Sequence, residues 1–214
     1  MQRPGRPGRP GQPLEYKTMK HQTTASTLVA VAMTGVLGLA AAAVLAGDSP
    51  PAVGAAIYTE DGQLRLPEQY REWVFIGAPL TPNALNGGQA AFPEFHHVYV
   101  NPDAYAVYRL SGEFPDGTVI VKELLLLQGD RADGTSVGPS GRGYFAGDYH
   151  GLDVMVKDGR RYAATAGWGF FNFGHHAPPY QAAAAAAPEE SCAGCHRAVQ
   201  KSDMVFKQYY PALK

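Results

Sequence analysis

The chain has 214 residues, nearly half of them apolar, which is enough for one sizeable core and gives no reason to expect a second domain. A net charge of −1 offers no basic footprint for nucleic acid. Only two cysteines are present, both in one short motif, which excludes a scaffold stapled by several disulfides.

Residues 1–46 read as a leader. The tract "RPGRPGRPG" is low-complexity and basic, and Met19 offers an alternative start beyond it. "MKHQTTASTLVAVAMTGVLGLAAAAVLAG" then sets a basic start before an apolar run that ends on small residues, the pattern of a secretory signal peptide cut near Ala46. The alternative is an uncleaved anchor, since the run from Thr27 to Ala46 is about long enough to span a bilayer. Cleavage would leave a periplasmic protein of thirteen basic and eighteen acidic residues. Residues 47–57 read as a Pro/Gly/Ala tether and 58–214 as one folded domain.

"RLPEQYREWVFIG" places Pro67 ahead of Tyr70, Trp73 and Val74 and predicts a short helix. "TPNALNGG" is turn chemistry, and "EFHHVYVN" is a strand. Asn101, Pro102 and Gly112 bracket a helix as N-cap, N1 and C-terminal stop. "FPDGTVIVKELLLL" is a turn feeding a long strand, and "GDRADGTSVGPSGRG" reads as a mobile polar loop. "YFAGDYHGLDVMVKDGRRYAAT" predicts two strands joined at "KDGR", and "GWGFFNFG" one more. From Pro179 the texture turns helical: an alanine-rich segment, a cysteine motif, and a last helix from Asp203 capped by Ser202. The fold class is α+β, mainly antiparallel sheet with flanking helices and a helical C-terminal segment.

That segment carries "CAGCH": Cys192, Cys195 and His196. C-x-x-C-H is the attachment signature of c-type haem, both thiols bonding the vinyl groups and the histidine binding iron. One helical turn aims the two sulfurs and the imidazole at the same region. A Cys192–Cys195 disulfide is the plainer alternative, and zinc would need two further ligands that no second Cys pair or tight His spacing supplies. Met155 is the one strand methionine that could serve as a sixth ligand, although its neighbours Leu152, Val154 and Val156 suit it to a core. His96, His97, His150, His175 and His176 read as surface or hydrogen-bonded residues, not ligands.

In "TVIVKELLLL", alternation puts Ile120, Lys122, Leu124 and Leu126 on one face and Val119, Val121, Glu123 and Leu125 on the other. Such a strand either lies at a sheet edge with gatekeeper charges or turns Lys122 inward, where a desolvated amine is more often neutral and nucleophilic.

The stretches "LPEQYREWVFIGAPLTPNALN", "HHVYVNPDAYAVYRLSGEFPDGTVIVKEL", "GYFAGDYHGLDVMVKD" and "ESCAGCHRAVQKSDMVFKQYYPAL" together resemble the cytochrome P-460 family of exported monohaem c-type cytochromes. The resemblance implies an antiparallel sheet fold, usually dimeric, with a five-coordinate haem c ligated by His196. It implies that Lys122 bonds covalently to a meso carbon of the porphyrin, and that hydroxylamine is oxidised toward nitrous oxide or nitrogen oxides with electrons passed to a soluble cytochrome. Relatives called cytochrome c′-beta lack the cross-link and bind nitric oxide under an aromatic cap. The hydroxylamine-oxidising members carry a distal carboxylate just before the haem motif, where this chain reads "QAAAAAAPEES", leaving Glu189 and Glu190 as the available groups. Phe92 is the first choice for the residue over the iron, with Phe95, Trp168, Phe170, Phe171 and Phe173 as further aromatics, and Arg71, Arg142 and Arg160 as propionate partners.

Overall fold

The computed structural model describes residues 54–214. The expected leader and the first part of the tether lie outside them. At the tether's end, the Ile57 carbonyl accepts a hydrogen bond from Arg65 N–H, and Ala56 packs against a core, so ordered structure begins ahead of residue 58.

The body is α+β. Five antiparallel strands lie side by side in chain order: β2 (Val74–Gly77), β3 (Phe95–Val100), β4 (Val119–Leu127), β7 (Ala146–Lys157) and β8 (Trp168–Asn172). Two short pairs accompany them, β1 (Leu64–Arg65) with β9 (Ala183–Ala184), and β5 (Ser136–Gly138) with β6 (Gly141–Gly143). Helix α1 (Pro102–Ser111) follows β3, and α2 (Cys192–His196) lies near the C-terminus. No helix among the described residues is long and apolar enough to cross a membrane.

β4 is the central strand, which excludes the edge reading of its charges. Its alternation builds two cores. One face packs Val98, Val100, Ile120 and Phe170 under α1 and the C-terminal segment, including Ala193, Met204, Val205 and Leu213. The other packs Val119, Val121, Leu152, Val154, Val156 and Phe171 under Leu64, Tyr70, Trp73 and Ala184. A strand buried on both faces is apolar at almost every position, as β4 is.

Glu123, on the second face, is fully buried. Its carboxylate accepts from Tyr70 Oη at 2.5 Å and from Arg71 Nη2 at 2.5 Å and Nε at 3.2 Å. That clamp replaces the expected helix at Pro67. Only Tyr70–Glu72 make a helical turn, after Gln69 in the left-handed region, and Val74 to Gly77 run on as a strand. Arg71→Ala should therefore cost about 3–5 kcal/mol, because it strands a buried charge, whereas Glu123→Leu should cost about 1–3 kcal/mol, since half-exposed Arg71 can return to water and only the Tyr70 hydroxyl is orphaned. Urea denaturation of the two variants gives the order directly.

Other departures have equally local causes. The polar loop contains the β5–β6 hairpin, held by Arg142, which donates to Thr135 and pairs with Asp133. Past "KDGR" the chain turns instead of pairing at once: Asp158 Oδ1 accepts from Arg160 and Arg161 N–H, and the partner of β7 is β8. Asn101 does not cap α1 with its side chain; Oδ1 accepts from Val119 N–H, tying the helix start to β4. The alanine-rich segment is extended, because Leu66 N–H donates to Ala182 and Ala187 N–H to Phe170, so sheet pairing outweighs alanine's helix propensity. The last helix is absent: after α2 the chain makes short 3-10 turns, broken by Asp203 and Met204 at positive φ.

Candidate functional site

The break at Asp203 and Met204 positions His196. The Asp203 carboxylate takes Lys157 Nζ at 2.5 Å and Trp168 Nε1 at 3.2 Å, which holds this residue in the left-handed conformation. The Met204 carbonyl is thereby brought within 2.6 Å of His196 Nδ1. A carbonyl only accepts, so Nδ1 carries the proton and Nε2 keeps its lone pair, the tautomer a metal ligand needs. Phe170 and Phe206 flank the imidazole at 4.9 and 5.0 Å between ring centroids. Burial pushes its pKa down, which favours the neutral ligand form.

Cys192 and Cys195 lie on α2 as free thiols, Cys192 half-buried and Cys195 exposed. The intervening Ala193 is fully buried and anchors the turn, while Gly194 faces open space. The disulfide expected as the plainer alternative is not formed.

Across from α2 the sheet contributes Lys122. The antiparallel register aligns Val98, Lys122, Asp153 and Asn172 on successive strands, one row beyond Ile120, Met155 and Phe170. Lys122, Asp153, Met155, Cys192, His196 and Phe206 are among the residues around one cavity of about 70 Å3. Its volume is that of two or three waters, so a flat macrocycle can enter only if these side chains part. The donor set suits haem c: two free thiols one helical turn apart, a histidine in the ligating tautomer, and an amine on the facing wall.

Lys122 is inward, as one reading of its strand expected, but its amine is not unpaired. Nζ lies 2.9 Å from Asp153 Oδ2 and 3.7 Å from the centroid of the Phe92 ring. Asp153 in turn accepts from Asn172 Nδ2 at 2.7 Å and faces His175 Nε2 at 3.1 and 3.2 Å. Desolvation alone would raise the Asp153 carboxyl, but the hydrogen bond from His175 and the Lys122 ammonium outweigh it and bring it to about 2. The same hydrogen bond pushes His175 up.

Phe92 is thus part of the site and packs edge-on against both His96 and His175. Glu189 and Glu190 are not: both are exposed, and Glu190 pairs with Arg197 at 2.8 Å. Phe170 belongs to the His196 side, and Phe95, Phe171 and Phe173 to the opposite face of the sheet. Arg71 and Arg142 are committed to Glu123 and Asp133. Asp153 and His175 were missed as site residues. The available signal was a second charge on an apolar strand, Asp153 in "LDVMV", complementary to Lys122.

His96 donates from Nε2 to the Phe92 carbonyl at 3.3 Å, and burial, reinforced by Lys122, lowers its pKa to about 4. Between pH 6.5 and 4 the unfolded chain binds a proton there that the folded protein does not, so this contribution to stability is present above 6.5 and lost as pH falls, by up to roughly 3 kcal/mol. His196 acts in the same sense, whereas Asp153 titrates only below that window and the raised His175 acts above it. His96→Gln should flatten the slope of urea-denaturation stability between pH 6.5 and 4 relative to the parent.

The family model described as Cytochrome P460 matches residues 67–207, well over half of the chain. The chain belongs to the cytochrome P460 family. Among curated proteins, none matches it. Membership makes this a haem protein, and the matched span includes Phe92, Lys122, Asp153, His175 and the whole Cys192–His196 turn. In this member of the family the sheet presents Lys122 and Asp153, and α2 presents Cys192 and the imidazole of His196, to one cavity, while Cys195 stays exposed beside it.

Proposed function

We propose that this cytochrome P460 is a periplasmic oxidoreductase of hydroxylamine that works at one covalently held haem c. The observation that carries the reading is the meeting of Lys122 with Cys192 and His196 around one cavity. On this reading Cys192 and Cys195 form the thioethers, His196 Nε2 is the proximal iron ligand, and Lys122 Nζ bonds the macrocycle. A haem bound here supplies an iron centre that accepts electrons from a small nitrogenous ligand. The chain does the rest: Met204 fixes the imidazole, Phe92 covers the Lys122 amine, and Asp153 is the nearest carboxylate to take protons. Two hydroxylamine molecules going to nitrous oxide and water release four electrons and four protons, and a soluble cytochrome is the proposed acceptor. A homodimer is the proposed assembly, and the signal peptide ending near Ala46 the proposed route of export.

The exposure of Glu189 and Glu190 favours one second reading, a nitric oxide binder of the cytochrome c′-beta kind. Anaerobic hydroxylamine with an artificial oxidant, followed by nitrous oxide release, separates the two. Sustained release is expected. Binding of nitric oxide without any release would favour the second reading, and a low-spin resting spectrum abolished by Met155→Leu would make the protein an electron carrier.

A further inference from the structure

We propose that Asp153, backed by His175, positions Lys122 for bond formation. The inference rests on the reading of Lys122 as the cross-linking residue.

An ammonium has no lone pair, so Lys122 cannot attack carbon while it stays protonated. The structure puts one acceptor within reach: Asp153 Oδ2, 2.9 Å from Nζ and directly across the β4–β7 register. Phe92 closes the other side of the amine at 3.7 Å, so the amine is held between a ring and a carboxylate. Asp153 is itself fixed by Asn172 and His175 and has little freedom to leave.

His175 reaches this place by backbone design. Gly151 leaves its ring room, since a Cβ there would lie 3.0 Å from His175 Cδ2, and Gly174, at φ 124°, turns the chain out of β8. The His175 side chain is 42% exposed against 20% for Asp153, so the imidazole lies on the solvent side of the carboxylate and holds it in place. The other charged or titratable groups bearing on the pair are His96, Glu94 and His196. His96 donates to a backbone carbonyl, so of these histidines only His175 holds Asp153.

The chemistry balances with one surplus proton. Joining Nζ of the neutral amine to a meso carbon removes one proton from each partner and two electrons in all, and a peroxide-class oxidant takes up both as it is reduced to two waters. Starting from the ammonium, one further proton is released to solvent.

The experiment uses full-length protein carrying thioether-bound haem, treated with hydrogen peroxide, with the haem peptide spanning residue 122 and the C-terminal motif quantified by mass. Asp153→Asn keeps the shape and should fold with an unchanged melting temperature to within a few degrees, yet cross-link about a hundredfold more slowly. Asp153→Glu should recover most of that rate, and His175→Gln should slow the reaction while leaving the final yield intact. Cross-linking of Asp153→Asn at the parental rate would overturn the inference alone. A parent protein that never cross-links would overturn the reading of Lys122 and this inference with it.

Discussion

Lys122→Ala is expected to leave the haem attached to Cys192 and Cys195 but to change its absorption from an unusually long wavelength to that of an ordinary c-type haem. The reason is local. On the proposed reading, a bond from Nζ to a meso carbon joins an amine lone pair to the conjugated ring and moves its absorption, whereas the thioethers would come from α2, across the cavity. The substitution also frees Asp153 from its ion pair, but Asn172 and His175 still hold it, so the sheet should remain folded. Hydroxylamine turnover should be lost while nitric oxide still binds. A spectrum identical to the parent's would show that Lys122 does not touch the macrocycle.

The second large effect is expected at α2. In a Lys122→Ala background, replacing Cys192 and Cys195 together by serine should abolish haem retention in acidified organic solvent completely, whereas His196→Ala should leave the haem attached and change its iron ligation. The two outcomes differ because, on the proposed reading, the thiols are the anchors and the imidazole the ligand, its tautomer held by the Met204 carbonyl. Extraction followed by the absorption of the protein fraction reads the first effect, and the spin state of the iron reads the second. Haem that stays with the double serine variant when Lys122 is also replaced would contradict the thioether assignment.

The parts of this site that were legible in the sequence are those whose partners are close in the chain or implied by alternation. Cys192, Cys195 and His196 lie within one helical turn, and Lys122 stands out as one charge on a strand face shared with Ile120 and Leu124. Asp153 was not legible because its meaning depends on register: only the pairing of β4 with β7 places it opposite Lys122. Glu189 and Glu190 looked available by nearness to the motif, yet the extended run that ends in Ala187 carries them to the surface. That run also misled on helix content, since alanine's preference is worth a fraction of a kcal/mol per residue and pairing with β1 and β8 outweighs it. The missing last helix has the same lesson in a single residue, Asp203, whose carboxylate is claimed by Lys157 and Trp168.

The central claim is that one haem is held by both the sheet and α2. Proteolysis of the mature, haem-loaded protein followed by mass measurement of the haem-bearing fragment tests it most directly. The account predicts a single fragment in which the peptide containing Lys122 and the peptide containing Cys192 and Cys195 are joined through one haem. A haem fragment carrying the C-terminal peptide alone would contradict it.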